Sequence, residues 1–179
     1  MTTARHLHYS YEDYLSALEM SEIKLEFLNG EIFAMAGGTP AHSRLSARMI
    51  HLLSLRLGSG CSVMTSGAKV RIRATGLSTF PDVSVVCGEL ESAPDDKNSI
   101  ANPKIIVEIL SPSTEEYDRG EKLRHYQQLP SLQCVLLVAH DAKRVTVVTR
   151  AAAGWSTTEH TEHFDVADLG SFAVSEVYG

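Results

Sequence analysis

Long apolar runs are missing from this chain. No stretch approaches membrane-spanning length, and Met1 to Tyr14 lacks the apolar run of a signal peptide. The cytoplasm is therefore the expected compartment, with no membrane partner. Cysteine is scarce as well. Cys61, Cys87 and Cys134 lie far apart among apolar neighbours, with no CxxC pair and no Cys/His run. That pattern excludes a zinc site of the usual spacing and reads as buried free thiols in a reducing compartment. Internal repeats and low-complexity segments are also missing. Basic charge is in short supply, with 16 Lys+Arg against 22 Asp+Glu and a net charge of -6. This argues against a dedicated nucleic-acid-binding protein. An enzyme is not excluded, because a site that collects carboxylates for metals adds to that balance, and a local basic patch can still face a substrate.

What is present is an ordinary globular composition. The 179 residues are 44% hydrophobic and 21% charged, enough for one domain spanning 1–179 that buries a full core without disulfides or a structural metal. Ser10 followed by Asp13 predicts a helix cap, with Tyr11, Tyr14, Leu15 and Leu18 at helical spacing. Residues 24–35 read as two strands joined by Asn29-Gly30, a hairpin signal. Thr39 and Pro40 open a second helix whose stripe is Leu45, Met49, Leu52, Leu53 and Leu57, with Gly58 and Gly60 ending it.

Strands are expected at Cys61–Met64, Lys69–Arg73 and Asp82–Cys87, then a surface loop from Gly88 to Asn102. Lys104–Leu110 is almost continuously apolar, as a central strand covered on both faces would be. A helix from Glu115 to Leu129, a buried strand at Cys134–Ala139 and a closing hairpin near Val145–Thr149 and Trp155–Glu162 follow; Phe172–Tyr178 reads as short strand or coil. This order predicts a mixed α/β (α+β) sheet with helices packed on it, not an alternating doubly wound fold.

Candidate chemistry sits at a few positions. Asp82, in Phe80-Pro81-Asp82-Val83, lies at the open end of a strand where a metal could sit, although Pro-Asp is also a common strand-entry pair. Glu108 interrupts the apolar run Ile105 to Leu110, and an ionised carboxylate there costs several kcal/mol unless it is paired or metal-bound. Ligand and buried ion pair both satisfy that requirement. Asp118, Lys122 and Tyr126 recur every four residues and share a helix face, which is also the pattern of an exposed i,i+4 pair. A helix packing back over the sheet would carry Lys122 towards Glu108. Glu26 and Glu31 flank the Asn-Gly turn, and His42 sits in the first turn of the second helix, where capping or a surface role also fits. Lys69, Arg71 and Arg73 alternate along one strand face, either to contact phosphates or to protect an edge strand.

Taken in order, Pro81-Asp82-Val83, Val107-Glu108-Ile109-Leu110-Ser111-Pro112-Ser113-Thr114, Asp118, Lys122 and Tyr126 resemble the Uma-type family of restriction endonuclease-like proteins, within the PD-(D/E)XK nuclease superfamily. Glu26-Phe27-Leu28-Asn29-Gly30-Glu31-Ile32, Met35 and His42 resemble its N-terminal signature, so the likeness runs from about Ser10 to Tyr178. The resemblance implies a restriction-endonuclease-like mixed β-sheet core flanked by helices, with an N-terminal helix and hairpin. It further implies a Mg²⁺- or Mn²⁺-dependent endonuclease that cuts DNA, with Asp82, Glu108 and Lys122 catalytic. The metal ligands would be Asp82, Glu108, the backbone carbonyl of Ile109 and, as a further candidate, Glu31; Glu26, His42, Asp118 and Tyr126 would support them. Such a donor set suits Mg²⁺, which keeps several waters. A homodimer would allow both strands to be cut.

One departure stands out. The superfamily's lysine falls two residues after the second acid, where this chain has Leu110; the resemblance moves that role to Lys122, with Lys69 as the other candidate. The competing expectations are an inactive nuclease-fold domain that binds nucleic acid or serves as a scaffold, and a hydrolase of small phosphoesters.

Overall fold

Local signals build the N-terminal part. Ser10 caps α1 (Tyr11–Met20): its hydroxyl accepts from the Asp13 N–H while the Asp13 carboxylate accepts from the Ser10 N–H. The strands β1 (Leu25–Leu28) and β2 (Glu31–Ala34) pair antiparallel around Asn29 and Gly30, both at positive φ, the conformation that this two-residue turn requires. Thr39 accepts from the His42 N–H and opens α2 (Pro40–Arg56). The computed structural model describes residues 8–35 and 37–179, so the reading of Met1 to Tyr14 lies partly outside the described residues. No described helix is long and apolar enough to cross a membrane.

The remaining elements are β3 (Cys61–Thr65), β4 (Lys69–Ile72), β5 (Leu77–Thr79), β6 (Val83–Cys87), β7 (Ser99–Ile100) and β8 (Ile105–Ile109). A helical stretch follows, made of α3 (Glu115–Tyr117), a π-helical segment (Asp118–Lys122) and α4 (Leu123–Tyr126). The chain closes with β9 (Cys134–Val138), β10 (Val145–Ala151), β11 (Gly154–His160), β12 (His163–Val166), β13 (Gly170–Ala173) and α5 (Val174–Tyr178).

The larger sheet has the order β11-β10-β9-β8-β6-β3, with β8 antiparallel to β6 and parallel to β9. A second sheet has the order β2-β1-β5-β4-β7. Side-chain alternation along the central strands builds two cores. Val83, Val85, Ile105, Val107 and Ile109 meet Leu45, Met49, Leu52 and Leu53 of α2 on one face. Val86, Ile106 and Leu110 meet Val70, Ile72 and Leu77 of the second sheet, together with Tyr126, on the other. The mixed α+β architecture, with the continuously apolar β8 at its centre, matches the expectation.

Several readings need correction. Cys61 and Cys87 are not free thiols: they form a disulfide, because the antiparallel register of β3 and β6 sets them directly opposite each other. Only Cys134 is free and buried. Lys69 and Arg71 neither guard an edge nor face solvent. The strand carrying them, β4, lies between β5 and β7, and both side chains are buried in ion pairs with Asp96 and Asp95. The stretch from Gly88 to Asn102 is more than a surface loop. It carries β7 and buries Ala93, Asp96, Ser99 and Ile100 under β4. The tail forms β13 and then α5, whose Val174 and Val177 pack in the α2 core.

Candidate active site

Sheet register assembles the site. In the antiparallel pair β6–β8, Val83 lies opposite Val107 and Ser84 opposite Ile106. Extended by one step, that register would set Asp82 across from Glu108 on the same face, a spacing at which facing Cβ atoms are about 5 Å apart. The Ile109 N–H donates to Asp82 Oδ2 at 2.8 Å, which locks that step. Pro81 immediately precedes and cannot extend the ladder, so Asp82 stands at the open end of β6.

Glu108 points to the face shared with the second sheet, where the helical stretch covers it. The π-helical segment matters here. Asp118 and Lys122 stand at its two ends and Tyr126 lies in the α-helical turn that follows; a four-residue spacing keeps all three side chains on one face in either kind of turn. Lys122 Nζ lies 2.9 Å from Glu108 Oε1, 3.5 Å from Asp118 Oδ1 and 3.8 Å from Glu26 Oε1. The Tyr126 hydroxyl donates to the same Glu108 oxygen. Glu26 arrives from β1 and is held by the Thr79 hydroxyl and the Phe80 N–H. On the far side, His42 Nε2 lies 3.2 Å from Asp82 Oδ2. Gly38 leaves room for that ring, since a Cβ there would stand 3.0 Å from His42 Nδ1.

The electrostatics follow from burial and crowding. Burial pushes the Glu108 carboxyl up to about 7, opposed by Lys122 and the Tyr126 hydroxyl and reinforced by Asp82 and Asp118. For Lys122, burial acts to lower the pKa, yet Glu108, Tyr126, Glu26 and Asp118 outweigh it and hold the ammonium well above its ordinary value. The hydrogen bond to Asp82 raises His42 against the opposing effect of burial. Carboxylates outnumber cations in this cluster, an imbalance that favours a further positive charge.

A metal ion fits the donor chemistry. Asp82 uses Oδ2 towards Ile109 and His42, and Glu108 uses Oε1 towards Lys122 and Tyr126; each keeps its other oxygen free of a hydrogen bond among the described residues. Two carboxylates and a backbone carbonyl are hard oxygen donors of the kind that Mg²⁺ takes while keeping several waters. Among the described residues no three His, Cys, Asp or Glu side chains form a group able to hold a metal, so such a site would depend on that carbonyl and on water.

The structure thus brings Asp82, Glu108, Lys122, Asp118, Tyr126, Glu26 and His42 together. Glu31 is exposed on β2, across from Leu28. Lys69 is engaged with Asp96 at 2.7 Å instead of with the site, and Leu110 is buried in the apolar core. Sequence reading missed Thr79, because β5 is three residues long and lacks an alternating pattern. It also missed Tyr117, half-buried beside Asp118, whose hydroxyl burial pushes up to about 12, with the charge of Glu26 adding to the rise.

Comparisons with known proteins bear on the family and the fold. Residues 11–175 match a family model described as "Uma2: Putative restriction endonuclease". An uncharacterized protein of Synechocystis sp. is 37% identical over 177 residues, covering 94% of this chain and 90% of that protein. A second uncharacterized Synechocystis protein is 31% identical over 134 residues, covering 74% of this chain and 76% of that one. A solved structure described as "a putative nuclease belonging to DUF820", from Anabaena variabilis, superposes with a TM-score of 0.76 at 16% identity, covering 93% of this chain and 96% of its own. At that identity the likeness shows a shared fold.

Proposed function

The chain belongs to the Uma2 family, and from that premise we propose that it is an endonuclease that hydrolyses phosphodiester bonds in DNA with Mg²⁺ or Mn²⁺ as cofactor. It acts as one domain in the cytoplasm, and a two-fold dimer would serve to cut both strands. The observation that carries the reading is the register of β6 against β8, with the ammonium of Lys122 lying on Glu108.

Asp82, Glu108 and the backbone carbonyl of Ile109 are the groups that would hold the metal. When bound, it supplies Lewis acidity at the scissile phosphate and a lowered pKa for the attacking water. The protein's own residues do the rest. The Ile109 N–H and His42 fix one oxygen of Asp82, and Tyr126 fixes one of Glu108, which would leave the remaining oxygens to a cation. Lys122 orients the attacking water and offsets charge that grows on the phosphoryl oxygens. Asp118 and Glu26 flank the ammonium and set its position.

An inactive nuclease-fold domain is the second reading, favoured by Leu110, which leaves β8 without the superfamily's lysine. Supercoiled plasmid incubated with Mg²⁺ or Mn²⁺ separates the two. Endonuclease activity predicts nicked and linear products from the wild type and none from Asp82→Ala or Glu108→Ala. Retention of DNA with no products at any metal concentration contradicts it. Turnover of a small model phosphodiester without cleavage of polymer would instead indicate a phosphoesterase.

A further inference from the structure

Helix α2 carries no acidic residue along its 17 positions, although the chain as a whole has a net charge of -6. Its buried side is Leu45, Met49, Leu52 and Leu53. Arg44, Arg48 and His51 follow one another at spacings of four and three residues, form one exposed stripe and line the wall of a groove of about 360 Å³. Val177 and Tyr178 of α5 form the opposite wall. Among the described residues neither arginine has a carboxylate partner. The nearby acid of α5, Glu176, is engaged with Arg56 and with the Ala173 N–H. Of the exposed arginines elsewhere, Arg73 lies near Asp95, while Arg124 has no carboxylate partner among the described residues.

We propose that this stripe is the surface on which the protein holds the phosphate backbone of its nucleic-acid substrate. Two arguments converge. Unneutralised guanidinium groups in an otherwise acidic protein complement a polyanion and repel little of their own surroundings. The rise of an α-helix places Arg44 and Arg48 about 6 Å apart along the axis, and His51 about 4.5 Å further on, intervals of one to two nucleotides at about 3.4 Å of rise per strand residue. Guanidinium forks bond phosphate oxygens in pairs without reading base identity. The surface therefore gives affinity and not sequence preference. The identification of DNA as the occupant rests on the nuclease reading.

The test is DNA binding by the full chain in EDTA, which needs no cleavage. Fluorescence anisotropy with a short labelled duplex is followed across a salt series for the wild type, for Arg44→Ala/Arg48→Ala and for Arg124→Ala/Lys143→Ala, a control that removes the same charge from exposed positions elsewhere. The stripe variant should lose about tenfold in affinity at low salt and show a salt slope shallower by about 2, since each phosphate contact contributes about 0.9. The control should stay close to the wild type. Unchanged affinity and slope in the stripe variant overturn the proposal, as does an equal loss in the control or retention of polyglutamate as tight as that of the duplex. A protein that binds through the stripe yet never cleaves sinks the endonuclease reading alone. One that cleaves with an unchanged KM in the stripe variant sinks this proposal alone.

Discussion

Lys69 and Lys122 are both about 5% exposed and both lie against a carboxylate, yet their surroundings differ in charge balance. Lys69 Nζ is 2.7 Å from Asp96 Oδ2, which also accepts from the Tyr11 hydroxyl. Beside it, Arg71 pairs with Asp95 and stacks 3.7 Å over the Tyr11 ring. Two buried cations meet two carboxylates there, with the exposed Arg73 adding a second contact to Asp95, and the network ties α1 to β4 and to the segment before β7. Around Lys122 the ammonium is shared among Glu108, Asp118 and Glu26, with Asp82 close by and His42 on its far side. A neutralised buried pair contributes structure. A buried cluster with surplus negative charge contributes structure poorly, because the surplus costs free energy, and it makes sense as a seat for a further cation.

The comparison breaks first at the acids. Asp82→Ala and Glu108→Ala should abolish metal-dependent cleavage in a plasmid assay, whereas a residual rate near that of the wild type in either variant would remove the reason for treating the surplus as functional. The two lysines come next. Lys122→Met should lower kcat by about 10² to 10³, the usual cost of deleting one charge-stabilising group. Lys69→Met should leave kcat per folded molecule unchanged while costing about 3–5 kcal/mol in chemical denaturation, because Asp96 is left buried and unpaired. Lys122→Met should cost less stability than Lys69→Met, since Glu108, already raised to about 7, can take up a proton in its place.

Smaller effects sharpen the picture. Tyr126→Phe removes the hydroxyl that orients Glu108 and should weaken metal binding about tenfold by titration calorimetry, with little change in folding. The mildest effect concerns pH. A carboxyl raised to about 7 holds its proton below that value, and proton and metal compete for it. Apparent metal affinity should therefore rise as pH increases towards 7 and level off above it; the opposite sign would mean that Glu108 is not a ligand.

Much of this arrangement was legible before any coordinates, for reasons that differ from residue to residue. Ser10 with Asp13, Asn29-Gly30 and Thr39-Pro40 act within a few residues, so their caps and turn follow from local chemistry. The run from Ile105 to Ile109 is long enough to declare a central strand by apolarity alone. Non-local register was not legible. Nothing in sequence tells that Cys61 faces Cys87, and the two short strands β5 and β7 carry no period to detect. Lys69 and Arg71 looked like surface charge because their partners, Asp96 and Asp95, sit in a stretch rich in turn residues. The four-residue spacing of Asp118, Lys122 and Tyr126 was visible, but the π-helical segment that carries the first two was not, since side chains four apart share a face in α and π turns alike.

A crystal of the wild-type protein soaked in Mn²⁺ and measured at an anomalous wavelength addresses the central claim most directly. The account predicts a peak bridging the Asp82 and Glu108 carboxylates at about 2.1–2.2 Å, with the Ile109 carbonyl in its coordination sphere and Lys122 beside it. The pair Lys69–Asp96 should stay empty. A well-ordered manganese bound elsewhere, with those two acids pointing apart, would contradict the account.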